Sequence, residues 1–322
     1  MPPHAKSPTP DMVDTLIVGG GPAGLTSAVT VARNLHTAIV FDSNDYRNER
    51  TAHFHMLPTW DGKNPIEFRD AARLNTIDNY DTIFYVDTKI EKATRNDDGL
   101  FELTDAGGKV WKGRSLVLAS GIVDVPLDIP GFDECWGRSL FHCLFCHGYE
   151  QRGSKSYGIL AINDVAPVPI CLHVARNAAQ MTKTVTIYTH GNAASAAEID
   201  KAIGLVAPFR VDGRRITKFE LGANELGIII HFEDGSSKEE AFLGHKPKTA
   251  LKSSFLAEQL GLSITAQGDL EVKPPFSETT LSDNPHAINT GANSAAGVAS
   301  HVQSRIYGQK SLSEFIQAQK PA

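Results

Sequence analysis

No apolar run in this sequence of 322 residues approaches the about 20 residues that a bilayer-spanning helix requires, and no stretch is typical of a signal peptide. The sequence also lacks a basic patch or an acidic tail, because 31 Lys and Arg and 37 Asp and Glu residues are interleaved for a formal net charge of −6. Membranes and nucleic acids are therefore not expected as partners. We expect a soluble, cytoplasmic protein with a disordered, proline-rich tail over 1–11.

Cysteine is scarce, with four residues in the chain, so a disulfide framework is not expected. Cys143 and Cys146 stand three residues apart and His147 follows, a spacing used by redox dithiols, zinc sites and haem attachment sites. Haem attachment needs an export route, and zinc needs four ligands, usually with a second close pair. Cys135 and Cys171 stand alone and are expected to be ordinary buried cysteines. The spacing alone does not separate the three uses, but without an export signal or a second close pair a redox dithiol is favoured.

The first forty residues follow a strand–helix–strand pattern. Apolar residues over 14–19 predict a buried strand, their recurrence over 25–35 predicts a helix, and a second strand is predicted over 37–41. A GxGxxG motif lies between the first strand and the helix. The residues assigned to dinucleotide binding here are Gly19, Gly21, Pro22, Ala23, Gly24, Asp42 and Ser43.

Each glycine of this motif has a physical role. Gly19 permits the tight turn, Gly21 lets the backbone approach a pyrophosphate, and Gly24 lets helix and strand pack closely. The helix N-terminus favours the negative charge of the phosphates. Asp42 ends the second strand, where a carboxylate accepts hydrogen bonds from a ribose hydroxyl. This arrangement predicts FAD or NAD rather than NADP.

A further strand predicted over 111–121 ends in Ala119-Ser120-Gly121, and the CxxC follows shortly after it. This combination resembles the low-molecular-weight thioredoxin reductase family. Within that family, the sequence is most similar to the fungal gliotoxin-type dithiol oxidases. The segments that carry the likeness are 35–38, 41–43, 125–129, 142–146 and 148–150.

The resemblance implies an α/β fold with two three-layer, Rossmann-like dinucleotide-binding domains, the second inserted into the first. The FAD domain would comprise 12–122 and 250–318, and an NADPH-type domain over 123–249 would carry the CxxC. Gly121 and Gly291 are further cofactor residues by resemblance, and such proteins are usually homodimers.

The second domain departs from the reductase pattern. Its first strand, predicted over 155–162, is followed by a segment without glycine in which Pro167 and Pro169 stand where phosphates would bind. Proline has no N–H to donate there. The next strand, predicted over 184–188, precedes a segment without the arginine cluster that binds the 2′-phosphate in thioredoxin reductases. We therefore expect no use of NADPH. In the resembling oxidases, the electrons pass to molecular oxygen and form hydrogen peroxide.

The resemblance also implies roles near the dithiol. Cys146 would face the flavin, Cys143 would exchange with the substrate sulfur, and His147 would replace the aspartate that serves as acid and base, although a structural role for it stays open. His53, His55 and His142 are candidates for substrate contact and could equally be solvated or structural.

One departure concerns the flavin itself. The family's closing Gly-Asp motif, whose aspartate binds the ribityl chain, corresponds here to Gly291-Ala292. Loss of one charged hydrogen bond would cost about 1.5–3 kcal/mol, or one to two decades in affinity. Asn289 or Asn293 could substitute for the aspartate.

The leading hypothesis is an FAD-dependent oxidase that forms a disulfide in a small sulfur-bearing metabolite, with oxygen as acceptor. Two alternatives stay open. A flavin-poor homologue could catalyse a non-redox elimination or cyclisation on a related metabolite. A non-catalytic protein could bind a thiol metabolite for self-protection.

Overall fold

The computed structural model describes residues 9–203, 209–223, 227–273 and 278–279. These residues fall into two units. The first contains the described parts of 1–49, 65–123 and 250–322, and the second contains 50–64 and the described parts of 124–249. Within the described residues, no helix is both long and apolar enough to cross a membrane.

The elements follow one another along the chain in three groups. The first group is β1 (Met12–Val18), α1 (Pro22–Arg33), β2 (Ala38–Asp42), α2 (Pro65–Asn79), β3 (Ile83–Asp87), β4 (Ile90–Arg95), β5 (Phe101–Asp105), β6 (Val110–Leu118) and β7 (Ile122–Asp124). The second is α3 (Phe132–Cys135), β8 (Leu140–Phe141), α4 (Leu144–His147), β9 (Tyr157–Leu160), α5 (Val168–Ala178), β10 (Val185–Tyr188), α6 (Ala193–Ile203), β11 (Phe209–Asp212), β12 (Ile216–Leu221), β13 (Ile228–Phe232), β14 (Ser237–Glu240), β15 (Leu243–Gly244) and β16 (Thr249–Leu251). The third is α7 (Ser254–Gln259), β17 (Val272–Lys273) and β18 (Glu278–Thr279).

The first unit is built on a six-stranded sheet in the order β3-β2-β1-β6-β5-β4. The strands β3, β2, β1 and β6 run parallel to one another, and β5 is antiparallel to both of its neighbours, β6 and β4. Because successive side chains of a strand point to opposite faces, Ile17 and Val40 pack with Val31 of α1, whereas Leu16 packs on the other face with Leu256 of α7. The sheet therefore lies between helices as a middle layer. The predicted strand–helix–strand unit is confirmed as β1, α1 and β2.

The second unit is built on a five-stranded parallel sheet in the order β11-β10-β9-β15-β8, with a separate antiparallel sheet of β12, β13 and β14. The strands of the parallel sheet share one carboxyl edge, where ligands bind in open α/β sheets. Cys143 follows the end of β8 and therefore begins the CxxC at this edge. The two units confirm the predicted α/β fold with two Rossmann-like domains.

The segment 50–64 belongs to the second unit, although in sequence it lies between β2 and α2 of the first. One contact that joins it to the rest of the second unit is a hydrogen bond of 2.9 Å from Arg50 Nη1 to the carbonyl oxygen of Asp133. The predicted FAD domain over 12–122 includes this segment. The segment brings two of the predicted substrate residues, His53 and His55, into the unit that carries the dithiol.

Asp14 stabilises the start of the first sheet. Its Oδ2 accepts hydrogen bonds of 3.0 Å from both the backbone N–H and the hydroxyl of Thr37, and its Oδ1 accepts one of 2.8 Å from Arg114 Nη1. Burial acts to raise the pKa of this carboxyl, but His36, Thr37 and Arg114 together lower it far below its usual value of 3.8. The folded state therefore strongly favours the ionised carboxylate.

We expect Asp14→Asn to lower the free energy of unfolding by about 1–3 kcal/mol at pH 7, because it removes charge-assisted hydrogen bonds. A carboxyl whose folded pKa is lowered stabilises the fold above its unfolded pKa and loses that contribution as the pH falls further. The difference from the wild type should therefore shrink below about pH 3.8. Urea denaturation of both proteins at pH 7 and pH 3 measures this difference in the free energy of unfolding. An equal difference at both pH values would contradict this account.

Candidate active site

The two cysteines of the CxxC are joined by a disulfide, with a Cα–Cα distance of 5.3 Å. Cys143 is the N-cap of α4 and Cys146 lies on the following turn, where its N–H donates a hydrogen bond of 3.3 Å to the Cys143 carbonyl. The dithiol therefore lies at a helix N-terminus, but α4 is a single turn. Any stabilisation of a thiolate there comes from the free N–H groups of that turn rather than from a long helix dipole.

His147 ends α4 and stacks on Phe141, with ring centroids 4.2 Å apart and planes within 3°. Both of its ring nitrogens are buried and have no hydrogen-bond partner among the described residues. Burial, with smaller contributions from His142 and His55, lowers its pKa to about 4 against the opposing effect of Glu150. With the disulfide closed, His147 is therefore a neutral imidazole that can accept a proton at pH 7.

His55 lies between two carboxylates. Its Nδ1 is 3.5 Å from Asp61 Oδ1, and its Nε2 is 3.7 Å from Glu150 Oε1, which lies three residues after His147. His55 thus joins the segment 50–64 to the end of the dithiol-bearing stretch. Glu150 was missed as a site residue in the sequence analysis, although it lies within one of the segments that carry the resemblance.

The other two candidate histidines are His53 and His142. The His53 ring centroid is 6.5 Å from that of His55, and its Nδ1 lies 3.2 Å from the Gly62 carbonyl oxygen. His142 directly precedes Cys143, is exposed, and its ring centroid lies 6.0 Å from that of Trp136. The structure therefore places all three predicted histidines in the same unit as the dithiol, with electrostatic effects of His55 and His142 on His147.

The backbone that presents His55 is a closed loop. Phe54 N–H donates a hydrogen bond of 2.9 Å to the Lys63 carbonyl, and Met56 N–H donates one of 2.8 Å to Asp61 Oδ1. Met56 and Thr59 have φ values of 67° and 70°, in the left-handed region that side-chain-bearing residues rarely adopt. A β-branched residue such as Thr59 is especially unfavourable there, and such strain is often found at functional sites. The hydrogen bonds from Phe54 and Met56 close the loop around these two residues.

The glycine motif of the first unit has the geometry that dinucleotide binding requires. Gly19 has φ 119°, and a Cβ there would lie 2.3 Å from the Ala119 carbonyl oxygen. A Cβ at Gly24 would lie 1.8 Å from the Gly19 carbonyl oxygen, so helix and strand meet at backbone contact. At Gly21, the N-cap of α1, no described atom beyond the neighbouring backbone lies within 4 Å of a Cβ. The described residues therefore leave space beside Gly21 at the start of the helix.

The remaining predicted cofactor residues surround this loop. Pro22 begins α1 and Ala23 follows in its first turn, where the N–H groups lack intrahelical partners. Asp42 ends β2, is buried, and lies against Gly20, where a Cβ would be 1.9 Å from Oδ2. Ser43 follows it and is exposed. Gly121 has φ 77°, which favours glycine.

These residues fit FAD: an open backbone cradle at a helix N-terminus suits a pyrophosphate, and a carboxylate at the end of the second strand suits a ribose. Gly291, Ala292, Asn289 and Asn293 lie outside the described residues, as do residues 1–8 of the predicted tail.

Matched glycine variants test this fit. We expect Gly21→Ala to cost the apoprotein no more than about 1 kcal/mol, as for Ala at a helix N-cap, but to weaken FAD binding about 10- to 100-fold by placing a methyl group in the cradle. Gly24→Ala should instead destabilise the apoprotein itself, because its Cβ would meet backbone. Thermal unfolding and FAD titration separate the two effects. Wild-type FAD affinity in Gly21→Ala would show that the pyrophosphate binds elsewhere.

The segment that follows β9 in the second unit differs from this cradle. The connection after β9 contains a short 3₁₀ helix (Asn163–Val165), and Pro167 is then the N-cap of α5 with Pro169 in its first turn. Both prolines therefore lie at the start of the helix that follows β9, as the sequence predicts. After β11, Arg214 contacts two carboxylates, Asp212 at 2.6 Å and Asp234 at 3.2 Å. The charge of Arg214 is therefore already paired within the protein.

Cys135 and Cys171 are free and buried, as predicted. Burial raises the pKa of each thiol to about 11, so neither forms a thiolate at neutral pH. The reactive sulfur chemistry of the described residues is therefore concentrated at Cys143 and Cys146.

Comparison with known proteins places this geometry in a wider group. Residues 13–204 match the model of the pyridine nucleotide-disulphide oxidoreductase family. The chain is 41% identical to thioredoxin reductase tcpT of Claviceps purpurea (strain 20.1), over 94% of this chain and 98% of that relative. It is 45% identical to thioredoxin reductase aclD of Aspergillus oryzae (strain ATCC 42149 / RIB 40), over 87% and 88%. Among solved structures, an oxidoreductase from Agrobacterium tumefaciens superimposes with a TM-score of 0.78 at 25% identity, covering 93% of this chain and 100% of that one.

Proposed function

The chain belongs to the pyridine nucleotide-disulphide oxidoreductase family, among its thioredoxin reductase-like members, and from this membership we propose that it is an FAD-dependent dithiol oxidase. Its substrate would be a small sulfur-bearing metabolite whose two thiols become a disulfide, and its electron acceptor would be molecular oxygen. The observation that carries the proposal is the contrast between an open glycine cradle at α1 and prolines in the corresponding position at α5, in a chain whose CxxC cysteines form a disulfide.

The first unit would hold the cofactor. Gly19, Gly21 and Gly24 with the first turn of α1 would bind the pyrophosphate, and Asp42 would accept hydrogen bonds from the adenosine ribose. Bound FAD would supply the acceptor for the two electrons of the protein dithiol and pass them to oxygen, which leaves as hydrogen peroxide.

Cys143 would receive the substrate. A substrate thiolate attacks Cys143 Sγ, the Cys143–Cys146 bond breaks, and Cys146 leaves as a thiolate. The second substrate thiol then attacks its partner sulfur in the mixed disulfide, which releases the substrate disulfide and the Cys143 thiol. The substrate loses two electrons and two protons, and the protein disulfide gains them as a dithiol.

His147 would handle the protons of this exchange. It is neutral beside the closed disulfide, because burial lowers its pKa to about 4. A thiolate at Cys146 would raise that pKa again, since an adjacent negative charge favours the imidazolium. His147 can then accept a proton released by a substrate thiol and return it later, at a ring nitrogen that no described protein group occupies.

Anaerobic titration of the purified holoprotein tests the proposal. Addition of dithiothreitol, as a simple dithiol, should bleach the flavin's visible absorption, whereas NADPH should not. On admission of air, hydrogen peroxide should form in a one-to-one ratio with the oxidised dithiol. Rapid bleaching by NADPH, or a flavin that stays oxidised with every dithiol offered, would sink the oxidase assignment.

A further inference from the structure

The carboxylate that ends β2 is fixed from several sides. Asp42 is 6% exposed, its Oδ1 accepts a hydrogen bond of 2.9 Å from Asn44 N–H, and its Oδ2 accepts one of 2.5 Å from the Tyr46 hydroxyl. Its Oδ2 also lies against the backbone of Gly20, where a Cβ would be 1.9 Å away. The carboxylate therefore has one orientation, set by the glycine loop on one side and by Tyr46 on the other.

Tyr46 is itself held by a buried cation. Arg69 of α2 is 8% exposed, and its guanidinium carbon lies 3.7 Å from the centroid of the Tyr46 ring. Arg69 Nη1 also donates a hydrogen bond of 3.2 Å to Asn48 Oδ1. A guanidinium stacked on an aromatic face at this distance restrains the ring, and the attraction is stronger where water is excluded. Arg69, Tyr46 and Asp42 thus form a continuous chain of contacts from α2 to the end of β2.

A carboxylate offers about four lone-pair positions to donors. Two of those at Asp42 are used by Asn44 and Tyr46, and the described residues leave the others to ribose hydroxyls. The phenol of Tyr46 stays protonated, because burial and the Asp42 carboxylate raise its pKa. Tyr46 therefore keeps its hydroxyl proton across the usual pH range and donates its hydrogen bond to Asp42 throughout it.

We propose that Tyr46 is a positioning residue for FAD: with Arg69 behind its ring, it fixes the Asp42 carboxylate in the orientation that receives the adenosine ribose. This inference rests on FAD as the cofactor, and it is independent of the dithiol oxidase reaction. Free rotation of Asp42 would have to be lost on binding, so a carboxylate fixed in advance binds the ribose more tightly.

The test compares Tyr46→Phe with the wild-type full-length apoprotein, by fluorescence titration with FAD. We expect the dissociation constant to rise about fivefold to tenfold, since Phe keeps the ring on Arg69 but loses the hydroxyl. The matched control is Tyr85→Phe, because the Tyr85 ring lies under Arg73 at 4.8 Å in a similar arrangement one strand away. Its FAD affinity should equal that of the wild type.

A second titration separates positioning from a general loss of structure. It uses an FAD analogue that lacks the 2′-hydroxyl of the adenosine ribose, so the pair of ligands and the pair of proteins form a thermodynamic cycle. Tyr46→Phe should weaken binding of the analogue by less than about twofold, because the analogue lacks the hydroxyl that would donate a hydrogen bond to Asp42. If the variant weakens FAD and the analogue equally, or neither, the positioning role is overturned.

Two further outcomes are informative. If Tyr46→Phe does not fold, Arg69→Met should show the same selective loss of FAD affinity, because it frees the Tyr46 ring while the hydroxyl remains. If Arg69→Met changes the affinities for FAD and for the analogue by the same factor relative to the wild type, the proposal is overturned. A wild-type apoprotein that binds no FAD would instead overturn the cofactor assignment itself.

Discussion

A Cys146→Ser variant is expected to keep its fold and its FAD but to lose dithiol oxidation by on the order of 10⁴-fold or more, because one sulfur cannot form the disulfide through which two electrons pass. In the structure, Cys146 is covalently bonded to Cys143, and serine offers no comparable bond. Anaerobic mixing with dithiothreitol, followed by the flavin's visible absorption, measures the loss directly. The fold is checked by thermal unfolding of the same preparation.

The matched control for this variant is Cys171→Ala. Cys171 is a buried free cysteine of the same unit, and burial raises the pKa of its thiol to about 11. Its removal should lower stability by the cost of a small cavity and leave dithiol oxidation unchanged. Turnover that survives Cys146→Ser would place the redox chemistry at another group and end the proposed relay.

Much of the fold was accessible from the sequence, because its signals are local. The strand, glycines, helix and second strand over 12–42 follow rules that act within a few residues: Gly19 must adopt a positive φ, and Gly24 must lie against backbone. The same holds for Pro167 and Pro169, whose missing N–H groups can be read directly from the letters. Local rules of this kind predict the glycine cradle at α1 and the prolines at α5 without tertiary information.

The dithiol site was predicted less completely, because its neighbours come from distant parts of the chain. The contact of His55 with Glu150 spans 95 residues in sequence, and no periodicity links the two positions. The stacking of His147 on Phe141 joins residues six apart, across a strand end and a helical turn. Neither contact has a local signal. For this reason, the membership of 50–64 in the second unit and the neutral state of His147 emerged only from the structure.

His147→Phe is the variant that separates the two roles open to this residue. Phe should preserve the stacking on Phe141 and remove two buried nitrogens that have no hydrogen-bond partner among the described residues, so we expect the melting temperature to stay equal or rise. Dithiol oxidation should nevertheless fall by about 10²- to 10⁴-fold, the usual contribution of a general acid or base. A merely structural histidine would give the opposite pattern.

The pH dependence of stability gives an independent readout of the same variant. The folded state lowers the pKa of His147 from 6.5 to about 4, so the unfolded chain binds the extra proton and stability falls as the pH drops from about 6.5 toward 4. His147→Phe should flatten this decline. It should not abolish it, because burial also lowers the pKa of His245 to about 4. An unaltered decline in His147→Phe would mean that His147 is not buried in its neutral form.

A conservative replacement separates proton transfer by residue 147 from its packing. His147→Asp restores the residue type that thioredoxin reductases carry at this position, so it should retain more dithiol oxidation than His147→Phe, with a shifted pH–rate profile. His245→Leu serves as the control, since this second buried histidine follows β15 and contacts the Leu160 carbonyl oxygen rather than the dithiol. It should change stability and leave the pH–rate profile in place. Equal activity of His147→Asp and His147→Phe would remove proton transfer from the role of His147 and leave it a packing residue.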